Sequence, residues 1–168
     1  AYNEYLPPAE RVDAASWIKD FPNLVVTRTF SKIFGLAGLR VGYALASAEV
    51  ADLMNRVRQP FNVNNLAIAA AIAALGDDEF VTASYELNQR GMKQIIAGLD
   101  RLGLEYIVPH GNFVTFKVGD GAGVNQKLLQ QGVIVRPIGG YGLPEWLRVT
   151  IGTEPENTRF LEALEKAL

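Results

Sequence analysis

The chain has 168 residues and a net charge of −2, which is enough length for one domain or two small ones with a buried core. The near-neutral charge gives no electrostatic reason to expect nucleic acid or an acidic membrane as a partner. With no cysteine and a single histidine, the sequence excludes disulfides, thiolate or multi-histidine metal sites and thiol nucleophiles.

The sequence shows no targeting or membrane-spanning segment. Residues 1–10 lack the basic and apolar regions of a signal peptide. The longest apolar stretch, 66–75, is shorter than the ~20 residues that a bilayer requires. Because the lack of cysteine fits a reducing compartment, we expect a cytoplasmic protein. Because the chain also lacks an initiating Met, we expect it to be part of a longer protein.

The first half of the chain alternates between helical and strand patterns. The predicted elements are a short helix over 9–20 with Val12 inward, a buried strand of the parallel-sheet kind over 24–26, a strand over 41–46, a helix capped by Ser47, and an alanine-rich helix over 66–75. Asparagines at 62–65 suit the start of the last of these helices, and Gly76 should end it.

A long helix precedes a change of pattern. Asp77 and Asp78 predict its start, and apolar residues at helical spacing continue to about residue 102. Gly91 and Gly98 should weaken it by about 1 kcal/mol each relative to alanine. The elements predicted beyond it are strands over 105–108, 113–118 (with Thr115 on a solvated face), 133–135 and 146–151, a helix over 124–131, and a last helix with a Thr153–Glu156 capping box and Leu168 inward.

The segment 27–46 combines residues with chemical meaning. Lys32 follows an apolar strand and the hydroxyls of Thr29 and Ser31, and Arg40 follows a small-residue loop. A neutral lysine amine attacks carbonyls, and desolvation or a neighbouring cation frees its lone pair. Arginine binds phosphate through two parallel hydrogen bonds, and hydroxyls can add to them. Taken singly, Lys32 is more typical of a protein surface, Arg40 of an ion pair, and the two hydroxyls of a strand-end cap. The combination favours an anionic cofactor held covalently.

This segment resembles the cofactor-lysine region of a known family. Thr-x-Ser-Lys followed by Gly-Leu-Ala-Gly-Leu-Arg-x-Gly-Tyr is similar to the aminotransferases that use pyridoxal 5′-phosphate and share the aspartate aminotransferase fold. The likeness is greatest to the histidinol-phosphate aminotransferases. Residues 1–5, 135–144 and 147–153 resemble the family's strand end, late loop and substrate-anion strand. The resemblance covers essentially the whole chain.

The resemblance implies an α/β fold, the C-terminal part of a fold-type-I transferase that depends on pyridoxal phosphate. Residues 1–85 would be a remnant of the large cofactor domain and 86–168 the small α+β domain, linked by the long helix at about 77–102. The family's N-terminal half would be absent. It includes an aspartate, expected two positions before Ala1, that pairs with the cofactor's pyridine nitrogen.

The resemblance also implies roles for single residues. Lys32 would form the Schiff base with pyridoxal 5′-phosphate and act as the catalytic base. Arg40, Thr29 and Ser31 would hold the cofactor phosphate. Tyr2 would donate its phenol to the cofactor's ring oxygen.

On the substrate side, alternation along 146–151 places Arg148 on the face away from the core. The resemblance implies that Arg148 binds the acidic end of the substrate and that Arg136 assists. A structural ion pair is an equally open interpretation of Arg136. The implied partners are small molecules, an amino donor such as histidinol phosphate and a 2-oxo acid such as 2-oxoglutarate, and a second subunit in a homodimer.

Three other interpretations remain open. An aromatic-amino-acid aminotransferase or a threonine-phosphate decarboxylase of the same fold would share Lys32, Arg40 and Tyr2. A folded fragment without catalysis could act as an interaction module. A nucleotide-binding module based on the glycine loop 139–142 is disfavoured, because that loop lacks the Lys-Ser/Thr of a P-loop.

Overall fold

A computed structural model describes residues 1–168 and divides into two compact units, Ala1–Ser84 and Tyr85–Leu168. The α-helices are α1 (Ala48–Val57), α2 (Asn65–Leu75), α3 (Asp78–Arg101), α4 (Gly121–Gln130) and α5 (Glu154–Ala167). The strands are β1 (Val26–Thr29), β2 (Gly42–Leu45), β3 (Tyr106–Ile107), β4 (Phe113–Lys117), β5 (Arg136–Pro137) and β6 (Trp146–Thr150). No helix combines the length and the apolar character that a membrane span requires.

The first unit contains a two-stranded sheet of β1 and β2. The strands pair antiparallel, with Thr29 opposite Gly42. The strand predicted over 24–26 begins at Val26 and continues to Thr29. The prediction that it is of the parallel-sheet kind is wrong for its pairing with β2, which is antiparallel. The physical reason is the short connection over 30–41, which contains no α-helix that could carry the chain back to a parallel start.

The segment before β1 forms 3-10 turns at 8–10 and 14–19 instead of the predicted helix over 9–20. Between the two turns, the amide of Val12 donates to the side-chain oxygen of Asn3 at 3.0 Å. This hydrogen bond takes the amide out of a helical ladder. The prediction that Val12 faces inward is also wrong, because its side chain is 43% exposed.

Side chains cap α1 and α2 where the sequence predicts these helices to start. The hydroxyl of Ser47 accepts a hydrogen bond from the amide of Val50 at 3.4 Å. The side-chain oxygen of Asn64 accepts one from the amide of Ala67 at 2.8 Å. Each cap satisfies an amide that the first helical turn leaves without a partner. Gly76 follows the last residue of α2, as predicted.

The second unit is an antiparallel sheet in the order β3–β4–β6–β5, packed against helices. Alternate residues of β4 and β6 form its core together with α3, α4 and α5. The members that are fully buried are Ile95, Leu99, Val114, Phe116, Leu128, Leu147, Leu164 and Ala167. Full burial of one large apolar side chain contributes about 1.5–3 kcal/mol. The alternation predicted for 146–151 is confirmed, since every second residue from Leu147 to Ile151 is buried.

Other details of this unit correct the sequence prediction. Thr115 is buried, because β4 is a central strand and Thr115 has a neighbour on both sides, Ile107 and Arg148. Residues 133–135 are not a strand, since the amide of Val133 closes the end of α4 by donating to the carbonyl of Leu128 at 2.9 Å. Leu168 is 50% exposed because it lies beyond the end of α5.

Candidate functional site

The lysine segment forms the loop between β1 and β2. Phe30 and Ile33 anchor this loop and are only 3% and 2% exposed. The amide of Leu36 donates to the carbonyl of Phe30 at 3.0 Å, which closes the loop around Lys32. Gly35 has a φ of 70°, a conformation that strains any residue with a Cβ. Lys32 thus lies just beyond the end of β1, as the sequence predicts.

Arg40, Ser31 and Thr29 come together at the base of this loop. Nη1 of Arg40 donates to the carbonyl of Ala37 at 2.7 Å and to Oγ of Ser31 at 3.4 Å. The amide of Ser31 donates to Oγ1 of Thr29 at 3.1 Å. Arg40 has a φ of 54°, a left-handed conformation that is uncommon outside glycine and often marks functional sites. A guanidinium beside two hydroxyls suits a phosphate group.

Lys32 lies beside Tyr2, with Nζ 5.7 Å from the centroid of the tyrosine ring. The lysine is exposed, whereas Tyr2 is partly buried. Two ways to activate the amine are expected, desolvation and a neighbouring cation. Because Lys32 is exposed, the residues of this unit do not desolvate it. The exposed amine is accessible to a carbonyl compound.

No carboxylate neutralises the cations of this loop. The ion pairs of the chain are Arg56–Asp52, Arg90–Glu86, Arg101–Glu165 and Lys117–Glu145. Neither Lys32 nor Arg40 belongs to any of them. An accessible amine and an uncompensated arginine with hydroxyl neighbours fit the aldehyde and the phosphate of pyridoxal 5′-phosphate.

Arg148 and Arg136 lie in the second unit, directly opposite each other on β6 and β5. Arg148 is half-buried, Arg136 is exposed, and neither forms an ion pair with a carboxylate. The structural ion pair considered for Arg136 is therefore not formed. Like charges directly opposite each other destabilise a sheet, so this pair of guanidiniums suits a bound anion.

Phe113 is a neighbour of Arg148 that the sequence analysis missed. Its ring centroid lies 4.6 Å from Cζ of the arginine. An aromatic residue in a strand predicts core packing, and only the pairing of β4 with β6 brings it to the arginine. The alternation along β4 offered the one available signal, because it places Phe113 on the face away from the core.

A large cavity of about 910 Å³ in the first unit borders the lysine loop at Phe30 and Val41. Its lining is mainly apolar and includes Tyr43, Ile68 and Ile72, but none of the predicted site residues. Phe61, which also lines it, is 98% exposed and has a φ of 56°. We assign the cavity no part in cofactor binding, because it contains no lysine that could hold an aldehyde.

A family model for aminotransferase class I and II matches residues 1–164. Over its whole length the chain is 85% identical to histidinol-phosphate aminotransferase 1 of Dechloromonas aromatica (strain RCB), of which it covers 46%. The chain thus spans about half the length of the curated relatives it matches.

Solved structures share the fold. The histidinol-phosphate aminotransferase of Sinorhizobium meliloti, in complex with pyridoxal-5′-phosphate, is 28% identical, with a TM-score of 0.90 over 99% of this chain and 47% of that one. The L-threonine-O-3-phosphate decarboxylase of Porphyromonas gingivalis is also 28% identical, with a TM-score of 0.85 over 97% of this chain and 51% of that one. The predicted α/β fold is confirmed, and the chain belongs to the class I and II aminotransferase family.

Proposed function

We propose that a protein of full family length that carries this chain is a pyridoxal-phosphate-dependent aminotransferase. It would convert histidinol phosphate and 2-oxoglutarate to imidazole acetol phosphate and glutamate, a step of histidine biosynthesis. The observation that supports this best is the loop after β1. There an accessible Lys32 lies beside Tyr2, and Arg40, which donates a hydrogen bond to Ser31, has no carboxylate partner. The 85% identity to a histidinol-phosphate aminotransferase supports the choice of substrate.

The residues of the first unit would bind and align the cofactor. Arg40, Ser31 and Thr29 would hold its phosphate, and Tyr2 would donate to its ring oxygen. Lys32 would hold it covalently, and during turnover would take the proton from the α carbon of the substrate and return it, as general base and then acid. When bound, the cofactor supplies an electron sink for the bond broken at that carbon.

The residues of the second unit would bind the acidic end of the substrate. Arg148 and Arg136 place two guanidiniums on neighbouring strands, and together they can match the charge of a phosphate dianion. The carboxylates of 2-oxoglutarate could use the same donors in the second half of the reaction. The arginines would thus accept both substrates without any change of residues.

The organisation of the whole protein is part of the same proposal. Residues 1–85 would belong to the large cofactor domain and 86–168 to the small domain, a division supported by the two compact units that meet between Ser84 and Tyr85. The whole protein would be a cytoplasmic homodimer, as the family resemblance implies.

A threonine-phosphate decarboxylase is the second candidate, supported by the TM-score of 0.85 to such an enzyme. Both candidates need an arginine for a phosphate, so the anion site does not separate them. Steady-state rates with histidinol phosphate, threonine phosphate and phenylalanine would do so. We expect transamination of histidinol phosphate to give the highest kcat/KM, and carbon dioxide release from threonine phosphate would instead identify the decarboxylase.

Covalent attachment at Lys32 can be tested directly in the full-length protein. After incubation with pyridoxal 5′-phosphate and reduction with borohydride, we expect a single cofactor adduct on the peptide that contains Lys32, detected by mass spectrometry. The Lys32→Ala variant should give no adduct after reduction and lose at least about 1,000-fold in kcat, because it lacks both the attachment point and the base. The matched control is Lys19→Ala, since Lys19 is an exposed lysine of the same unit.

Normal transamination by Lys32→Ala, or an adduct on another lysine, would show that the assignment is wrong. The same reduction applied to the 168-residue chain tests whether this part binds the cofactor alone. We expect no stoichiometric adduct there, since the family's pyridine-binding aspartate is not among its residues.

A further inference from the structure

We propose that Phe113 is a positioning residue, whose ring holds the guanidinium of Arg148 in the orientation that receives the anionic end of the substrate. This inference rests on the function proposed above, because it assumes that Arg148 binds an anion. It adds a residue that the lysine motif and the arginine motifs do not include.

The geometry of β4 and β6 brings the two side chains together. Thr115 lies directly opposite Arg148 in the antiparallel pairing, and Phe113 lies opposite Thr150. Phe113 is therefore the diagonal neighbour of Arg148 on the same face of the sheet, within reach of a long side chain. Its ring centroid lies 4.6 Å from Cζ, well within the distance of about 6 Å at which a cation–π contact is attractive.

An aromatic ring orients an arginine without consuming its charge or its donors. A carboxylate would also fix the guanidinium, but it would neutralise the charge and occupy N–H groups that the substrate needs. A ring contacts the flat face of the guanidinium and leaves the N–H groups on its edge free to bind an anion. Since Arg148 forms no ion pair, the ring is the contact that can set its orientation.

The backbone that carries Phe113 is itself held in place. The side chain of Asn88, only 3% exposed, donates from Nδ2 to the carbonyl of Gly111 at 3.1 Å. The amide of Ile151 donates to the carbonyl of Asn112 at 2.9 Å. These bonds fix the turn before β4 to α3 and to the end of β6. The position of the ring therefore depends on the fold of the unit rather than on a mobile loop.

The test compares variants of the full-length enzyme with histidinol phosphate as amino donor and inorganic phosphate as inhibitor. Phe113→Leu and Phe113→Met remove the ring but keep most of its volume. We expect each to raise the KM for the donor and the inhibition constant of phosphate about 3- to 10-fold, with kcat within about twofold. Phe113→Tyr retains the ring and should restore both constants to within about twofold of the unaltered enzyme.

Two further variants distinguish positioning from general packing and from failure of the proposed function. Phe116→Leu alters the buried face of the same strand, so it should lower the Tm without changing KM. Arg148→Met should raise KM on the order of 100-fold, because it removes a charge-assisted partner of the anion. In the Arg148→Met background, Phe113→Leu should add no further change.

Each alternative result has one meaning. If Arg148→Met raises KM but Phe113→Leu and Phe113→Met do not, the positioning role is wrong and the proposed function stands. If Phe113→Tyr is as impaired as Phe113→Leu, the ring face is not what matters and the inference is overturned. If Arg148→Met leaves KM unchanged, both the anion-binding role and this inference are overturned.

A measurement on the unaltered 168-residue chain does not depend on any variant folding. Protons over an aromatic ring lie in its ring current, so the NMR signals of the Arg148 side chain should be shifted upfield from those of an exposed arginine such as Arg90. Random-coil shifts for Arg148 would contradict the contact.

Discussion

Gly91 has a different role in the packed unit from the one that helix propensity assigns to it. A Cβ at this position would lie 2.6 Å from Cγ2 of Ile151 and 2.8 Å from Nδ2 of Asn157. Glycine lowers the stability of the helix α3 itself, but its lack of a Cβ lets α3 pack closely against the end of β6. Sequence reasoning identified the cost, but the contact that requires glycine joins residues far apart in the chain.

We predict that Gly91→Ala destabilises the second unit by about 2 kcal/mol, even though alanine is the better helix former, because overpacking a filled core outweighs that gain. Urea unfolding monitored by tryptophan fluorescence in a Trp17→Phe background, which leaves Trp146 as the one reporter, would measure the change. Gly140→Ala is the control and should stay within about 0.5 kcal/mol, since a Cβ there meets nothing within 4 Å. Equal stability of the two variants would show that the close approach has no cost.

Asn157 is the polar centre of the same contact. It is 2% exposed, accepts from the amide of Gly152 at 2.9 Å, and donates to the carbonyl of Gly152 at 3.0 Å and to Oε1 of Gln94 at 3.1 Å. A buried amide with these bonds specifies one arrangement, because every other arrangement leaves a polar group without a partner.

The Asn157→Leu variant should therefore lose about 2–4 kcal/mol of stability, since the amide and the carbonyl of Gly152 lose a buried partner. Thermal and urea unfolding would quantify the loss. Asn125→Leu is a useful comparison, because the side-chain oxygen of Asn125 is buried without a hydrogen bond and its removal leaves no partner unsatisfied. A larger loss for Asn125→Leu would contradict this account of the polar contact.

At the scale of elements, α5 begins with the predicted capping box. Oε2 of Glu156 accepts from the amide and from the hydroxyl of Thr153, both at 2.7 Å. These hydrogen bonds, the one from the amide foremost, hold the pKa of Glu156 below its usual value of 4.5. Because the pKa is lower in the folded than in the unfolded chain, the stabilisation is present above the unfolded value and is lost as the pH falls through the folded value.

The Glu156→Gln variant should accordingly unfold at a lower temperature than the unaltered chain near neutral pH. The difference should shrink as the pH falls below the usual glutamate pKa of 4.5 and through the lower pKa of the folded chain, where the carboxylate becomes protonated. Thermal denaturation at a series of pH values would measure this convergence. Glu162→Gln, an exposed change in the same helix, is the control. A difference in Tm that stays constant with pH would rule out a role for the charge.

At the scale of the whole molecule, the two units differ in how much core they contain. The main cluster of buried apolar residues lies entirely between Ile95 and Ala167. Most of the large apolar side chains that are exposed lie before residue 85, and Val57, Phe61 and Leu66 are each at least 77% exposed. The first unit also has only a two-stranded sheet, an arrangement that is marginally stable in water.

We therefore predict that, in the 168-residue chain, amide hydrogens of β1 and β2 exchange at least roughly tenfold faster than those of β4 and β6, because local opening exposes less core in the first unit. Hydrogen exchange followed by mass spectrometry would compare the two sheets in one experiment. Equal protection of both sheets would show that the first unit gains stability from contacts other than its buried apolar residues.

Local features of the sequence were sufficient to nominate most residues of the candidate cofactor site. The lysine segment is contiguous, so Lys32, Ser31 and Arg40 could be identified from the order of residues along one short stretch. The helix caps were also predictable, because a cap joins residues only three positions apart, as Ser47 and Val50 show. The family resemblance depended on the same contiguous motifs.

The sequence by itself thus determined the family and the capped starts of α1, α2 and α5, and it supplied the candidate residues for cofactor binding, since each depends on neighbours along the chain. The tertiary structure alone decided the antiparallel pairing of β1 with β2, the burial of Thr115 and the position of Phe113 on Arg148. Each of these depends on which strands pair. Strand pairing is set by long-range packing, which no local pattern of residues contains.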